Sequence, residues 1–434
     1  MTDSKPTDAQ YTEQSAAQSA MRPPTQAGTQ SDPQRNTTFL WLIAIIFGTA
    51  MSFTTVPTTL WSLYESTEHY STMMVTVAFT SYSFGVLLSL VLLGHLSDWR
   101  GRRPLIAISL LCQIAAAVAL MATHLFMPVV IARFVSGVGV GMLTATTTAY
   151  LAELAIAGGR FSPSIALVIA TAANLGGLGA GPLVGGAPAQ WAPCPLVVPY
   201  GIYLALLIVC LGVLRLGPET VTIRSRRYHP QRIRVQRADR AGYLVAIGVG
   251  AATFCVQGLS TSLFPQLLGQ LGIHSRFWQG LLVACVLFAS AATQIMMRSL
   301  SAARLILTGL PAIGLGVVLM LCGVILVNGV LFALGGIIGG AGGGAAFRGA
   351  LARAQQLAPA DAQGEAAAGV FVGAYLGMSV PVLGIGFASL AGAPLRISVA
   401  VFALFVLAFA IVLAIGTVKT GRRSFPEAKR QGRR

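Results

Sequence analysis

The sequence is dominated by long apolar stretches with almost no ionisable side chains. An α-helix rises about 1.5 Å per residue, so about 20 apolar residues cross the roughly 30 Å hydrocarbon core of a bilayer. Only 10% of the residues are charged, against about 25% in soluble proteins. We therefore predict an all-α membrane protein with twelve transmembrane helices. Their approximate spans are Thr38–Leu63, Thr72–Leu93, Leu105–Ala122, Met127–Leu151, Ser164–Gly186, Val197–Leu216, Ala241–Leu263, Phe277–Met297, Leu305–Val327, Val330–Ala350, Gly364–Leu390 and Leu395–Val418.

The apolar stretches divide into two groups of six, separated by the longest polar interruption, Gly217–Arg240. An internal repeat supports this division, because Phe53 aligns with Phe254 and Pro182 with Pro381. Paired, repeated halves with a binding site at their interface are common among secondary transporters. The sequence therefore predicts two pseudo-symmetric six-helix halves. These are residues 38–216 and 241–418.

The positions of the basic residues predict the orientation. Of the 29 lysines and arginines, 26 fall in the two tails and in the loops on their side, with Arg348 counted in the last of these loops. Only Arg276 and Arg396 fall on the opposite side. Loops rich in Lys and Arg stay in the cytoplasm, so we expect a multi-pass protein of the inner membrane with both termini cytoplasmic. The predicted cytoplasmic segments are a disordered tail (1–37), a basic linker (217–240) and a basic tail (419–434).

The formal net charge of +16 does not indicate nucleic-acid binding. The most basic loop, the linker 217–240, is too short to form a nucleic-acid-binding fold. Basic residues near a membrane are attracted to anionic lipids by about 1 kcal/mol each. The six cysteines and five histidines are scattered without metal-ligand spacing. We therefore expect a bilayer with an anionic inner leaflet as a partner, and no nucleic acid, metal or cofactor.

A charged loop, GHLSDWRGRR, joins the second and third apolar spans at Gly94–Arg103. An ionised side chain at mid-bilayer costs several kcal/mol, so the loop is predicted to turn at a membrane surface. It resembles the loop signature of the major facilitator superfamily, although the usual Asp-Arg pair is Asp98-Trp99 here. The resemblance implies that Asp98 docks at the start of span eleven. It assigns a gating role to Gly94, Asp98, Arg100, Gly101, Arg102 and Arg103.

The fifth span ends in a glycine-rich run, GLGAGPLVGG. Gly177, Gly181 and Gly185 recur every four residues and form a smooth face for close helix contact. Pro182 leaves the carbonyl of Leu178 without its helical donor and bends the helix. The run resembles the antiporter signature of the superfamily's twelve-helix drug/proton antiporters, which implies export; ordinary small-residue packing is the alternative. The gating residues implied are Gly177, Gly181, Pro182, Gly185 and Gly186.

Arg133 is the basic residue inside span four. It lies about 9 Å from the outer end of that span, where an arginine must face protein or water and be partnered. Arg133, Gly137 and Gly139 resemble the fourth-helix signature of the same superfamily. The resemblance implies an arginine that lines the central cavity and takes part in proton handling. The alternative is a structural arginine that hydrogen-bonds the carbonyls of neighbouring helices.

Other polar residues at or near membrane depth are candidates for the proton or substrate pathway. They are Glu65, Glu153, Gln113, Asn174, Gln257 and Tyr375. No Asp or Glu lies deep within a span, since Glu65 is expected at the outer end of span one and Glu153 at the inner end of span four. The uncharged candidates are equally well explained as interhelical hydrogen bonds. Pro57 and Pro265 predict broken helices in spans one and seven, of the kind that line cavities.

Together these features predict a transporter, and not an enzyme, that works by alternating access. The resemblance favours a monomeric superfamily member that exports a small organic solute or drug in exchange for protons. Its partners are then a small-molecule substrate and protons. The alternative within transport is a proton-coupled importer of a small metabolite. A membrane enzyme or a non-transporting sensor would need a catalytic cluster or a fused soluble domain, and the sequence contains no sign of either.

Overall fold

The computed structural model describes residues 33–93, 100–220, 239–359 and 362–423. In these ranges the regular elements are α-helices. They are α1 (Pro33–Thr55), α2 (Pro57–Thr67), α3 (Thr72–Leu93), α4 (Arg102–Ala122), α5 (Phe126–Gly158), α6 (Pro163–Trp191), α7 (Val198–Leu214), α8 (Arg240–Ser262), α9 (Phe264–Gln270), α10 (Arg276–Met296), α11 (Ala302–Ile325), α12 (Gly329–Gln356), α13 (Gln363–Leu390) and α14 (Leu395–Arg423).

The helices coincide with the apolar stretches that predicted them. Within the described residues, 11 stretches are long and apolar enough to cross a membrane, and α1 with α2 forms the first of these. The further apolar helix, α7, has 17 residues, or about 25 Å at the helical rise per residue. The predicted all-α membrane fold is therefore confirmed, and the helices are consistent with twelve spans.

Two spans are broken at the predicted prolines. In the first half α1 ends at Thr55 and α2 begins at Pro57. In the second half α8 ends at Ser262 and α9 begins at Phe264, immediately before Pro265. Proline lacks an amide hydrogen and is tolerated in the first turn of a helix but not in its interior. Each proline therefore stands at the start of a new helix, and the matching breaks follow the internal repeat.

Several helices extend beyond their apolar stretches, which corrects three of the predicted boundaries. Residues 33–37 belong to α1 and residues 419–423 to α14, instead of to the predicted tails. Because α12 continues to Gln356, Arg348 lies inside this helix and not in a loop. Backbone hydrogen bonding continues a helix past the point where its side chains become polar. The rest of the predicted tails and linker, 1–32, 221–238 and 424–434, lies outside the described residues.

The helices run between two opposite ends of the bundle. We call the end that carries Pro33 and Arg423 the tail end, and the end that carries Thr67 and Trp191 the far end. Within the first half α5 packs against α3 and α4, and α6 packs against α1. Within the second half α12 packs against α11, and α13 against α8. Each half is therefore a closely packed helix group, and the buried apolar residues of both halves form one continuous core.

The two halves meet most extensively along α6 with α10 and α3 with α13, and α2 also contacts α9. Polar contacts join them at the far end. There Gln190 Oε1 accepts a 2.8 Å hydrogen bond from the backbone N–H of Arg276, and Gln266 Nε2 donates to Thr72 Oγ1 at 3.3 Å. At the tail end a cleft of about 510 Å³ lies between α6 on one side and α10 and α12 on the other. The halves are thus joined at the far end and separated by a cleft at the tail end.

Candidate functional site

Arg133 of α5 is a cation held inside the first half, with only 3% of its surface exposed. Its Nη1 donates a 3.0 Å hydrogen bond to the backbone carbonyl of Thr54 on α1. Its guanidinium carbon lies 4.4 Å from the ring centroid of Tyr82 on α3, and Tyr64 and Tyr200 are close enough to interact with its charge. A carbonyl and an aromatic face thus replace part of the lost hydration. Its Nε is buried without a hydrogen-bond partner, so one donor remains available.

Tyr82 connects Arg133 to the second half. Besides contacting the guanidinium, it lies on α3, the helix that packs against α13, which carries Tyr375. Tyr375 packs edge-on against Phe254 of α8, with ring centroids 5.6 Å apart, and Phe254 packs against Phe347 of α12 at 5.0 Å. A row of aromatic side chains therefore leads from the buried cation across the interface between the halves.

The two glutamines singled out in the sequence form hydrogen bonds within their own halves. Ser136 Oγ donates to Gln113 Oε1 at 2.7 Å and links α5 to α4. Gln257 Nε2 donates to Ser290 Oγ at 3.1 Å and links α8 to α10. Both contacts fit the interhelical alternative. Asn174 lies half-buried on α6, and the structure brings neither glutamine to it through a hydrogen bond.

The acids at the far end differ in their partners. Glu65, near the end of α2, has a buried carboxylate oxygen that accepts no hydrogen bond. Glu68 instead pairs with His124, whose Nδ1 lies 3.4 Å from its carboxylate. Tyr70 donates a 2.7 Å hydrogen bond to the carbonyl of His124. Burial, and then the charge of Glu68, raise the pKa of Tyr70 to about 12, so Tyr70 remains a neutral donor.

At the tail end of the first half, five residues form what we call the tail-end ion cluster: Arg102, Arg103, Glu153, Glu219 and Thr220. Arg102 and Glu153 form an ion pair of 2.8 Å, and the hydroxyl of Thr220 donates to the same carboxylate. Glu219 accepts the backbone N–H groups of Arg102 at 2.9 Å and Arg103 at 3.1 Å. An anion is favoured there because α4 presents its positive end. The structure places Glu153 in this cluster, at the opposite end of α5 from Arg133.

The loop that precedes α4 is described only from Arg100 onward. Gly94 and Asp98 lie outside the described residues, so docking of Asp98 on α13 stays a prediction. Arg100 is exposed. Gly101 has a φ of 97°, and a Cβ at this position would lie 2.8 Å from a carboxylate oxygen of Glu219. Glycine at this position permits both the backbone conformation and the approach of the carboxylate.

The glycine run of α6 packs one face against the first span. A Cβ on Gly177 or Gly181 would overlap backbone oxygens of α1, among them that of Ser52. A Cβ on Gly185 would lie 3.0 Å from the carbonyl oxygen of Val56, between α1 and α2. The smooth face predicted from the four-residue spacing is therefore in close contact with α1 and α2.

The opposite face of the same run contacts the second half. A Cβ on Gly186 would lie 3.0 Å from a backbone oxygen of α10, and one on Gly280 of α10 would overlap the carbonyl oxygen of Pro182. Pro182 supplies no donor for Leu178, and the hydroxyl of Thr55 on α1 donates to that carbonyl at 2.8 Å. Helix α6 continues through Pro182 and is held between α1 of its own half and α10 of the other.

The sequence model of the Major Facilitator Superfamily matches residues 39–380, which covers the first half from residue 39 onward and most of the second half. The chain belongs to this superfamily. Membership, together with the apolar helices, identifies a multi-pass membrane protein and points to a transporter rather than an enzyme. No curated protein sequence matches the chain.

Solved transporter structures share the fold of this superfamily member. A mutant of the nucleoside transporter NupG superposes with a TM-score of 0.64 at 12% identity, covering 88% of this chain and 99% of its own. A mutant of the peptide transporter POT in complex with alafosfalin gives a TM-score of 0.72 at 14% identity, covering 89% of this chain and 95% of its own. A bacterial homolog of the human lysosomal transporter Spinster, inward-facing and unoccupied, gives a TM-score of 0.63 at 13% identity, covering 89% of this chain and 98% of its own. Identities this low establish the fold alone.

Sequence reasoning does not identify two residues of the site, Tyr82 and Glu219. Tyr82 lies 10 residues after Thr72, the far-end start of α3, and Arg133 lies at comparable depth in α5. Since a buried arginine needs partners, matching depths across spans would have indicated this tyrosine. Glu219 follows the end of α7 on the side of the arginine-rich loop. An acid just past a helix end that faces arginines is the signal that would have found it.

Proposed function

We propose that this superfamily member exports a small organic solute in exchange for protons, by alternating access. The observation that carries the proposal is the close glycine packing of helix α6 on both of its faces. Its glycine face packs on α1 and α2, and its other face contacts α10 across the interface. Backbone surfaces that meet without interlocking side chains let two packed groups change their angle at low cost. The same glycine run carries the resemblance to drug/proton antiporters.

Alternating access then consists of rocking one half against the other about the pairs α6–α10 and α3–α13. The far-end contacts, Gln190 with Arg276 and Gln266 with Thr72, are the ones that break when the transporter opens at that end. We propose that the tail end faces the cytoplasm of a cell whose inner membrane holds a monomer. The basic residues near this end support that orientation.

The solute-binding region is proposed to lie along the aromatic row between Arg133 and Phe254. Tyr82, Tyr375 and Phe347 line this row with apolar faces and two hydroxyl tips. Such a surface favours a solute with an aromatic or apolar body. The free Nε donor of Arg133 offers one hydrogen bond to an oxygen or a negative charge on the solute.

The proton is proposed to bind Glu65. Glu65 makes no ion pair within the described residues and has a buried oxygen without a hydrogen-bond donor. Burial without a partner favours the protonated form of a carboxyl group. Movement of the halves that changes the surroundings of Glu65 would therefore take up or release a proton.

Everted membrane vesicles test direction and coupling together. A solute is first identified by thermal stabilisation of the purified protein. It is then added to vesicles with an imposed inside-acid gradient, and a pH-sensitive dye monitors that gradient. The gradient should dissipate in wild-type vesicles but not in Arg133→Ala or Glu65→Gln vesicles. Glu68→Gln is the matched control, because Glu68 has its own partner in His124. Solute uptake by whole cells that collapses with an uncoupler would overturn export and establish the importer.

A further inference from the structure

The cleft at the tail end, away from Arg133, has features of a second binding site. It has a volume of about 510 Å³ and lies between α6 of the first half and α10 and α12 of the second. Its polar lining consists of two guanidinium groups and four hydroxyls, with no carboxylate. These residues are Arg298, Arg348, Ser162, Ser164, Thr171 and Ser299.

The two arginines of the cleft are uncompensated. Arg298 follows the end of α10 and Arg348 lies half-buried inside α12, close enough for their charges to repel. Within the described ranges neither forms a hydrogen bond or an ion pair, whereas Arg102 at the same end of the molecule pairs with Glu153. Two like charges sharing a partly dry cleft are unfavourable unless an anion neutralises them. The cleft therefore has the electrostatics of an anion site.

The rim of the cleft is apolar and identifies the source of the anion. Ile165 and Leu167 of α6 line it with 42% and 52% of their surfaces exposed, and Val168 and Ile295 complete its apolar side. Inorganic phosphate gains nothing from such side chains. An acyl chain does, because apolar contact excludes water from both surfaces. The combination of a cationic centre and an apolar rim matches a lipid whose head group carries a phosphate.

We propose that this cleft binds an anionic glycerophospholipid from the leaflet at the tail end. Arg298 and Arg348 hold its phosphate by charge-assisted hydrogen bonds, and the hydroxyls of Ser162 and Ser164 lie at the opposite wall to contact the head group. The acyl chain follows the exposed face of α6 at Leu167. Because the walls belong to different halves, the lipid's affinity depends on the angle between them. Binding therefore favours the conformation described here over one closed at the tail end.

Native mass spectrometry of the detergent-purified full chain tests the site. The protein is titrated with dioleoyl-phosphatidylglycerol and, separately, with zwitterionic dioleoyl-phosphatidylcholine. The wild type should retain one phosphatidylglycerol with about tenfold higher affinity than phosphatidylcholine. The double variant Arg298→Gln/Arg348→Gln should lose this preference. Arg304→Gln is the matched control, because Arg304 is an exposed arginine at the tail end that does not line the cleft.

Three outcomes would overturn the proposal. One is an equal phosphatidylglycerol preference in the double variant and the wild type, and another is its loss in Arg304→Gln as well. The third is competition by sodium phosphate together with unchanged lipid retention in Leu167→Ser, which would assign the cleft to a free anion. Arg348→Lys retains the charge and should keep most of the preference. If thermal unfolding shows that the double variant is not folded, the lipid preference of Arg348→Lys is the result that decides.

Discussion

Arg133 on α5 and Gly336 on α12 lie at the same depth in the two halves, each 7 residues after the far-end start of its helix. In the first half the arginine contacts the Thr54 carbonyl and the Tyr82 ring. In the second half the glycine leaves room for Phe264, whose ring would lie 2.7 Å from a Cβ at Gly336. One half thus holds a cation, and the other an aromatic ring, at the same depth in the corresponding helix.

The same difference recurs at the tail end. Arg102 at the start of α4 pairs with Glu153, whereas Arg298 and Arg348 of the second half find no carboxylate within the described residues. Helix packing rests on many small contacts and survives in both halves, as the α1–α2 and α8–α9 breaks illustrate. Charge pairing depends on single side chains, and it is not repeated in the second half. At this end the first half therefore pairs Arg102 with a carboxylate, whereas the second half leaves Arg298 and Arg348 available to a ligand.

Removing the buried cation should have the largest effect. We expect Arg133→Ala to lower the transport rate about 1,000-fold, or about 4 kcal/mol, in reconstituted liposomes. Arg133→Lys should be strongly impaired because an ammonium lacks the planar fork of the guanidinium. Gly336→Ala, at the matching depth, should lower the unfolding temperature through contact with Phe264 while the folded protein transports at a near-normal rate. Equal transport rates of Arg133→Ala and wild type would contradict a functional role for the cation in the first half.

The repeat supplies a matched aromatic pair, Phe53 and Phe254. Phe53 is 1% exposed and packs on Tyr200 and Tyr203 inside its own half, so Phe53→Ala should reduce the free energy of unfolding by about 3 kcal/mol. Phe254 is half-buried on the aromatic row, so Phe254→Ala should mainly raise the KM for solute, by about tenfold. Unfolding titrations and transport kinetics separate the two effects. A larger KM change in Phe53→Ala would move the solute site into the first half.

Breaking the ion pair of the tail-end ion cluster should have an intermediate effect. Glu153→Gln leaves Arg102 partly buried without its counter-charge, and we expect the free energy of unfolding to fall by about 2 kcal/mol. Glu365→Gln in the second half is the control, since one Glu365 oxygen is already buried without a partner and little should change. Similar losses in both variants, measured by denaturant titration, would contradict the difference in charge pairing.

The smallest effect is expected at the start of α4. Gly101→Ala forces a side chain into a positive φ of 97° and against Glu219, which should lower the free energy of unfolding by about 1–2 kcal/mol. Ser301, which precedes α11 in the second half, has a φ of −66°, so Ser301→Ala should cost less than about 0.5 kcal/mol. Equal stability of Gly101→Ala and wild type would show that the carboxylate of Glu219 does not hold α4 in solution.

The sequence by itself determined the helices, the breaks at Pro57 and Pro265, the burial of Arg133 and the smooth face of α6. These features follow from local properties: the length of an apolar run, the chemistry of proline, and the cost of a charge in hydrocarbon. Each is settled by neighbouring residues in the chain. Boundaries were less predictable, because polar residues such as those at 33–37 continue a helix that apolar residues begin.

Only the tertiary structure decided which groups meet. Tyr82 reaches Arg133, Glu219 caps α4 and Arg348 faces the tail-end cleft because helices distant in sequence pack at particular rotations and depths. Those rotations are set by many side-chain and backbone contacts acting together, including the glycine surfaces of α6. A list of apolar spans contains no such information. The partners of each charge, and with them the difference between the two halves, therefore emerge only when the helices are packed.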